Sequence, residues 1–184
     1  MKNLLVTLFI FTIFTVGQVF AYNVNEFSND AKIIAAMNLL EQNGEYQVFT
    51  NLKKNAIKIK FYDISALGGG SNVYAANTYE PSGRRVIYIN SIYKNAPVEQ
   101  IACLIAHESC HVARKATLAE ETVATQKEAA CWTKLKNNST TYPQTKLTKR
   151  LDKLAGLYLA SDSNRNYIEE KIASNGFYRA QYGM

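Results

Sequence analysis

The chain has 184 residues, enough for one domain with a sizeable core and too few for two. Apolar residues make up 47% of the chain and charged residues 20%, which are ordinary values for a globular protein. The net charge of +6 is modest and no basic block stands out, so the composition gives no indication of nucleic-acid binding.

The first 21 residues have the pattern of a cleaved secretory signal peptide. Lys2 gives a positive start, residues 4–16 are almost entirely apolar, and small residues precede a cut between Ala21 and Tyr22. The alternative is a membrane anchor, but the apolar run is shorter than the roughly 20 residues that a span needs. We therefore expect residues 1–21 to be removed, leaving a secreted or periplasmic protein with a single domain over residues 22–184 and no stable membrane anchor.

Apolar periodicity predicts the elements of the first half of the mature chain. Cap residues precede a helix that ends near Gly44, and whether residues 45–54 form a second helix stays open. Three strands are predicted over residues 56–62, 73–79 and 84–90. We expect the last two strands to pair as a hairpin, with the third strand central because it is mostly apolar.

The sequence His-Glu-x-x-His lies inside an apolar, helix-like run. The chain has only two histidines, His107 and His111, and residues four apart lie on one face of a helix. Glu108 is rotated by about 100° from His107, so it would miss the first coordination shell but reach a metal-bound water. Two neutral nitrogens and a carboxylate base are what a zinc hydrolase needs. The alternative is a pair of structural core histidines.

The motif helix is expected to begin after Asn95 and to run through His111 to about residue 115. Thr117 and Glu120 form a capping box, so a second helix should follow almost at once. Further helices are predicted around residues 147–158 and 166–174, while residues 177–182 are left unassigned. Four basic residues of the first of these are interpreted as a solvated face: Lys146, Lys149, Arg150 and Lys153.

A catalytic zinc site needs a third protein ligand, and no further histidine exists. A tight turn between two helices places the start of the second beside the end of the first. Glu121 lies in the first turn of the second helix and is therefore the favoured ligand. Glu128, two turns further along, and Cys110, within the motif, stay open as alternatives.

The three cysteines, Cys103, Cys110 and Cys131, allow one internal bridge at most. If the two helices fold back on each other, Cys103 and Cys131 lie opposite, and a disulfide between them would join the metal helix to the ligand helix. Two buried thiols, or a bridge from Cys110 to Cys131, are the alternatives.

The stretch from about residue 73 to 135 resembles the zincin metallopeptidases, and within them the small gluzincin-like proteins. The matching parts are a strand pair, the His-Glu-Ser-Cys-His motif and the downstream Glu121-Thr-Val-Ala. The resemblance implies that Glu121 is the third zinc ligand. Where the family often has an Asp that orients a histidine, this chain has Thr125.

The resemblance also implies an α+β fold, in which a small twisted antiparallel or mixed sheet packs on the motif helix and further helices follow. The strand at residues 73–79 would line the cleft and pair with an extended peptide. We therefore expect a metallopeptidase with one Zn²⁺ held by His107, His111 and Glu121, with Glu108 as catalytic base and a peptide or protein as substrate. The alternative is a catalytically inactive zincin-like binding protein whose metal is structural or absent.

Overall fold

The computed structural model describes residues 22–68, 73–113 and 117–182. Within these residues the chain forms an α+β fold, which confirms the predicted fold class. The helices are α1 (Ala31–Gln42), α2 (Tyr46–Lys54), α3 (Val98–Glu108), α4 (Leu118–Leu135), α5 (Lys146–Ala160), α6 (Tyr167–Ala173) and α7 (Gly176–Tyr182). The strands are β1 (Lys58–Tyr62), β2 (Ala75–Tyr79) and β3 (Arg85–Asn90).

The first helix begins and ends where its cap residues indicate. The Asp30 carboxylate accepts hydrogen bonds from the N–H groups of Lys32 and Ile33, which α1 itself cannot satisfy. Gly44 adopts φ +74° just past the end of α1, a conformation that a side chain disfavours. The chain then turns directly into α2, so the open question about residues 45–54 is answered by a helix.

The sheet is small and mixed, with strand order β1-β3-β2. β3 pairs in parallel with β1 and antiparallel with β2, so the predicted hairpin and the central position of the third strand are confirmed. All six residues of β3 are buried, because the strand has a neighbour on each side and is covered by helices. The sheet therefore leaves β2 as an edge strand.

The motif helix α3 lies at the centre of the main core. Its residues Ile101 to Ala106 are at most 2% exposed, and α3 packs on α1, on α4 and on both hairpin strands. The core also contains the fully buried Trp132 of α4 and Phe49 of α2. Helix α3 is thus fixed on several sides, which gives its C-terminal end a defined position.

The predicted bounds of the motif helix were wrong at both ends. The cap position is Pro97 instead of Asn95, and it makes no side-chain hydrogen bond. The α-helix ends at Glu108, so His111 lies beyond it. Cys110 and His111 bond back to the carbonyls of His107 and Glu108, three residues earlier, which tightens the last turn.

The C-terminal helices cover α4, and the last of them, α7, occupies residues that the sequence pattern left unassigned. The interpretation of the basic face of α5 was wrong for Arg150. Its guanidinium bonds the Glu128 carboxylate, which is completely buried in α4. Lys146, Lys149 and Lys153 are exposed, as expected of a solvated face.

Among the helices of the described residues, none is both long and apolar enough to cross a membrane. The predicted signal peptide, residues 1–21, lies outside the described part of the chain. The described part of the chain begins at Tyr22, whose ring stacks on Phe49 with centroids 4.5 Å apart. The Tyr22 N–H donates to the Glu41 carboxylate at 2.6 Å.

Candidate metal centre

The structure brings His107, His111 and Glu121 together, with one ligand atom of each within 4.8 Å of the others. The two Nε2 atoms are 3.2 Å apart. Glu121 Oε1 lies 3.6 Å from His107 Nε2, and Glu121 Oε2 lies 3.5 Å from His111 Nε2. Zinc–ligand distances of about 2.0–2.1 Å put tetrahedral donor atoms about 3.3–3.4 Å apart. The spacing of these three side chains therefore fits a zinc ion.

Each histidine turns its other ring nitrogen toward a second carboxylate. His107 Nδ1 lies 3.0 Å from Glu128 Oε2, and His111 Nδ1 lies 3.7 Å from Glu120 Oε2. A carboxylate beside the outer nitrogen of a metal-binding histidine can orient the ring. Neither contact has the geometry of a hydrogen bond here, because among the described residues these two nitrogens and two oxygens are buried without a hydrogen-bond partner. Burial lowers the pKa of His107 below its usual value, which favours the neutral ring that a metal ligand requires.

Two hydroxyl groups orient the carboxylate of Glu121, the candidate third ligand. Tyr178, on α7, donates from its hydroxyl to Glu121 Oε1 at 2.7 Å, and Thr125 Oγ1 lies 3.4 Å from the same oxygen. Glu121 is only 6% exposed, so these contacts replace water around Oε1. Oε1 faces His107 Nε2 and Oε2 faces His111 Nε2, so both oxygens of this carboxylate are directed at the two histidines.

Side chains of the β2–β3 hairpin bind carbonyl groups at the end of α3 and just beyond it. Arg85, on β3, donates from Nε to Asn77 Oδ1 at 2.9 Å and from its two Nη atoms to the carbonyls of His111, Val112 and Ala113. Asn77, on β2, donates to the carbonyls of Glu108 and His111 at 2.8 and 3.0 Å. We call Asn77 and Arg85 the hairpin clamp.

Glu120 binds the same segment from the other side. Its Oε1 accepts hydrogen bonds from the N–H groups of Val112 and Ala113 at 2.8 and 3.0 Å. The predicted capping box is therefore correct for Thr117, which accepts from the Glu120 N–H, whereas the Glu120 side chain caps the preceding segment. The backbone of His111 is thus held from two sides: its carbonyl accepts from Asn77 and Arg85, and its N–H bonds the Glu108 carbonyl at the end of α3.

Glu108 lies in the wall of a cavity with a volume of about 800 Å³. Glu108 is only 6% exposed, and the three candidate ligands line the same cavity. Every residue from Val73 to Tyr79 lines the same cavity, so the edge strand β2 forms part of its wall. The cavity is large enough for a peptide segment.

The two alternative ligands are placed differently. Glu128 approaches His107 from the Nδ1 side, away from the Nε2 atoms, and is paired with Arg150. Cys110 donates from Sγ to the Ala106 carbonyl at 3.4 Å, and burial raises the pKa of its thiol to about 11. A metal ligand must be a thiolate, so Cys110 is poorly suited to the role.

All three cysteines are free thiols in this structure. Cys103 and Cys131 are buried on facing sides of α3 and α4, and burial together with the neighbouring Cys131 raises the pKa of Cys103 well above its usual value. The predicted placement is therefore observed, while the disulfide between them stays a prediction.

Four residues that support the site were not identified from the sequence: Asn77, Arg85, Arg150 and Tyr178. Two of them had a detectable signal. Arg85 is a charged residue in an otherwise apolar, central strand, and Arg150 follows Leu147 by three positions, within the apolar stripe of α5. Asn77 and Tyr178 carried no such signal.

No protein-family model, curated protein or solved structure matches this chain. The interpretation of the site therefore depends on its residues and their geometry.

Proposed function

We propose that the protein is a secreted or periplasmic zinc-dependent metallopeptidase that hydrolyses peptide bonds. The observation that carries the proposal is the triangle of two Nε2 atoms and one carboxylate at tetrahedral spacing, with Glu108 beside it in the same cavity. This arrangement also agrees with the sequence resemblance to gluzincin-like zincins.

Each residue of the site has a separate role in the proposed reaction. His107, His111 and Glu121 would hold one Zn²⁺, and Glu128, whose Oε2 lies 3.0 Å from His107 Nδ1, would orient that imidazole ring. Zinc, when bound, supplies a Lewis acid that polarises a carbonyl and lowers the pKa of a water. Glu108 accepts a proton from the attacking water and returns it to the leaving amine. The edge strand β2 offers unpaired backbone groups to an extended peptide.

Export of the protein is proposed from the pattern of residues 1–21, and one contact supports it. Cleavage before Tyr22 would turn the Tyr22 N–H into a charged amine. That amine would lie beside the Glu41 carboxylate, which already accepts the N–H at 2.6 Å. Sequencing the N-terminus of protein recovered from the culture medium or periplasm tests this placement, and a start other than Tyr22 would contradict it.

A second candidate function is peptide binding without catalysis, by a zincin-like protein whose metal is structural. The large cavity suits a bound peptide whether or not it is cleaved. A hydroxamate separates the two functions, because it needs an open coordination position on the metal. Inhibition of peptide hydrolysis by a hydroxamate supports the enzyme, whereas zinc that no hydroxamate reaches supports the binding protein.

The first test of the proposal is zinc content by mass spectrometry of the mature protein beside Glu121→Ala. We expect about one zinc per chain in the parent and much less in the variant, because three protein ligands are needed to retain the ion. Glu170→Ala, which removes an exposed carboxylate from α6, should retain the parent's zinc. If Glu121→Ala retains zinc, the third ligand must instead be Glu128 or Cys110. If the parent contains no zinc, the proposal that the protein is a zinc enzyme is wrong.

The hairpin clamp gives a further prediction. Arg85→Met should lower zinc affinity by about tenfold or more although every ligand is present, since outer groups that position ligands typically have effects of this size. Asn77→Ala should act in the same direction with fewer hydrogen bonds lost. Competition with a chromophoric chelator measures the affinity.

Arg84→Met is the matched control for the clamp, because it removes the same charge from the adjacent, exposed position of the hairpin. Its zinc affinity should equal that of the parent. Circular dichroism of each variant checks that the fold is retained. Parental zinc affinity in a folded Arg85→Met protein would show that His111 is positioned without the clamp.

A further inference from the structure

A second, smaller cavity lies beside the cavity of the candidate metal centre. It has a volume of about 240 Å³ and lies between α5, α6 and the end of the chain. Arg150, Asn175 and Tyr178 line both cavities, so the two are neighbours that share a wall. Because Tyr178 also bonds Glu121, this shared wall is directly connected to the candidate metal centre.

The smaller cavity is strongly basic. Its charged lining residues are Arg150, Lys153 and Lys171, and its remaining lining residues carry no acidic group. We call these three cations the basic pocket. The ion pairs formed among the described residues include neither Lys153 nor Lys171. The exposed Lys153 and the half-buried Lys171 therefore lie beside Arg150 at the smaller cavity, and neither lysine has a carboxylate partner, whereas Arg150 is paired with Glu128.

The positive charges of the basic pocket repel one another when no anion is bound. Burial lowers the pKa of Lys171, and the charges of Lys153 and Arg150 lower it further. Like charges so close together repel one another, and an anion placed between them would replace that repulsion with attraction. Leu154 and Ile172 supply a buried apolar floor beside the cations. The pocket is therefore suited to a small group that is both anionic and partly apolar.

We propose that the basic pocket binds a carboxylate of the peptide substrate and so fixes the substrate relative to the metal centre. This inference rests on the proposed peptidase function, and the shared wall is what connects the two sites. The carboxylate belongs either to the C-terminus of the peptide or to an Asp or Glu side chain. In both cases the preferred substrates are peptides with an acidic group a short distance from the bond that is cleaved.

Binding tests the pocket independently of turnover. The zinc-loaded Glu108→Gln protein is titrated with matched peptides that end in a free carboxylate or in an amide, and with amidated peptides that carry Glu or Gln at the last position. We expect the carboxylate member of one pair to bind about tenfold more tightly or better, the size typical of hydrogen bonds to a charged group. The pair that shows the difference identifies the source of the carboxylate.

Two variants assign the effect to the pocket. Lys153→Met and Lys171→Met in the same background should reduce the preference to less than about twofold when combined. Lys149→Met removes an equal charge from an exposed position of the same helix and should keep the preference. Unchanged affinity for the amide peptide, with unchanged zinc content, shows that the variants are folded.

The outcomes separate the pocket from the peptidase function. Equal binding of both members of both pairs, absence of binding, or a preference that survives in the double variant overturns the pocket. A carboxylate preference that depends on the two lysines supports it. Carboxylate-dependent binding by a zinc-loaded parent that cleaves none of these peptides supports the pocket and argues against the peptidase.

Discussion

Glu108→Gln is expected to lower kcat for peptide hydrolysis by at least about a hundredfold while zinc content stays at the parental level. Glutamine keeps the shape of the side chain but cannot accept a proton from water, and general base catalysis typically contributes 10²–10⁴-fold, by order of magnitude. Glu108 is the carboxylate of the cavity wall that is not among the three candidate ligands and does not face a histidine nitrogen.

Steady-state hydrolysis of a peptide library, with zinc measured on the same samples, checks this prediction. Glu99→Gln is the matched control, because Glu99 lies in the first turn of the same helix and is away from the cavity. Its activity should equal that of the parent. Substantial hydrolysis by Glu108→Gln would remove the role of Glu108 as base, and loss of zinc would show that the residue has a structural role in the site.

The second large effect concerns stability. Arg150→Met is expected to lower the free energy of unfolding by about 3–5 kcal/mol, since it leaves the charge of Glu128 buried and unpaired. Glu128 is 0% exposed, and Arg150 is its bonded cation. Urea unfolding of metal-free protein measures the change without a contribution from zinc binding.

The double variant Glu128→Leu with Arg150→Met should recover much of the lost stability, because neither charge is then left alone in the interior. Lys149→Met, on the exposed face of α5, should change stability by no more than about 0.5 kcal/mol. If Arg150→Met is as stable as the parent, Glu128 must be neutral or solvated. In that case it could not serve as the anion behind His107.

The parts of the fold that the sequence predicts are those set by local signals. Asp30 and Thr117 cap their helices as expected, because a side chain that bonds nearby N–H groups needs no distant partner. The three strands follow from alternation and apolar runs. The motif helix is the exception: it ends at Glu108, and the side chains that bind the segment after it come from parts of the chain distant in sequence.

The same division applies to the candidate site. His107, His111 and Glu121 lie close together in sequence, so helical periodicity and a tight turn suffice to bring them together. Their supporting residues come from β2, β3, α5 and α7, and their approach depends on how those elements pack. Periodicity places Arg150 in the apolar stripe of α5, but it does not show that the buried Glu128 is its partner.

The two edges of the sheet differ in how they resist pairing with another chain. β1 carries the exposed lysines Lys58 and Lys60, and charged edge residues of this kind discourage the addition of a further strand. β2 has no charged residue between Ala75 and Tyr79 and, within the described part of the chain, pairs only with β3. At high concentration, association between molecules should therefore begin at β2, whose residues also line the cavity of the candidate metal centre.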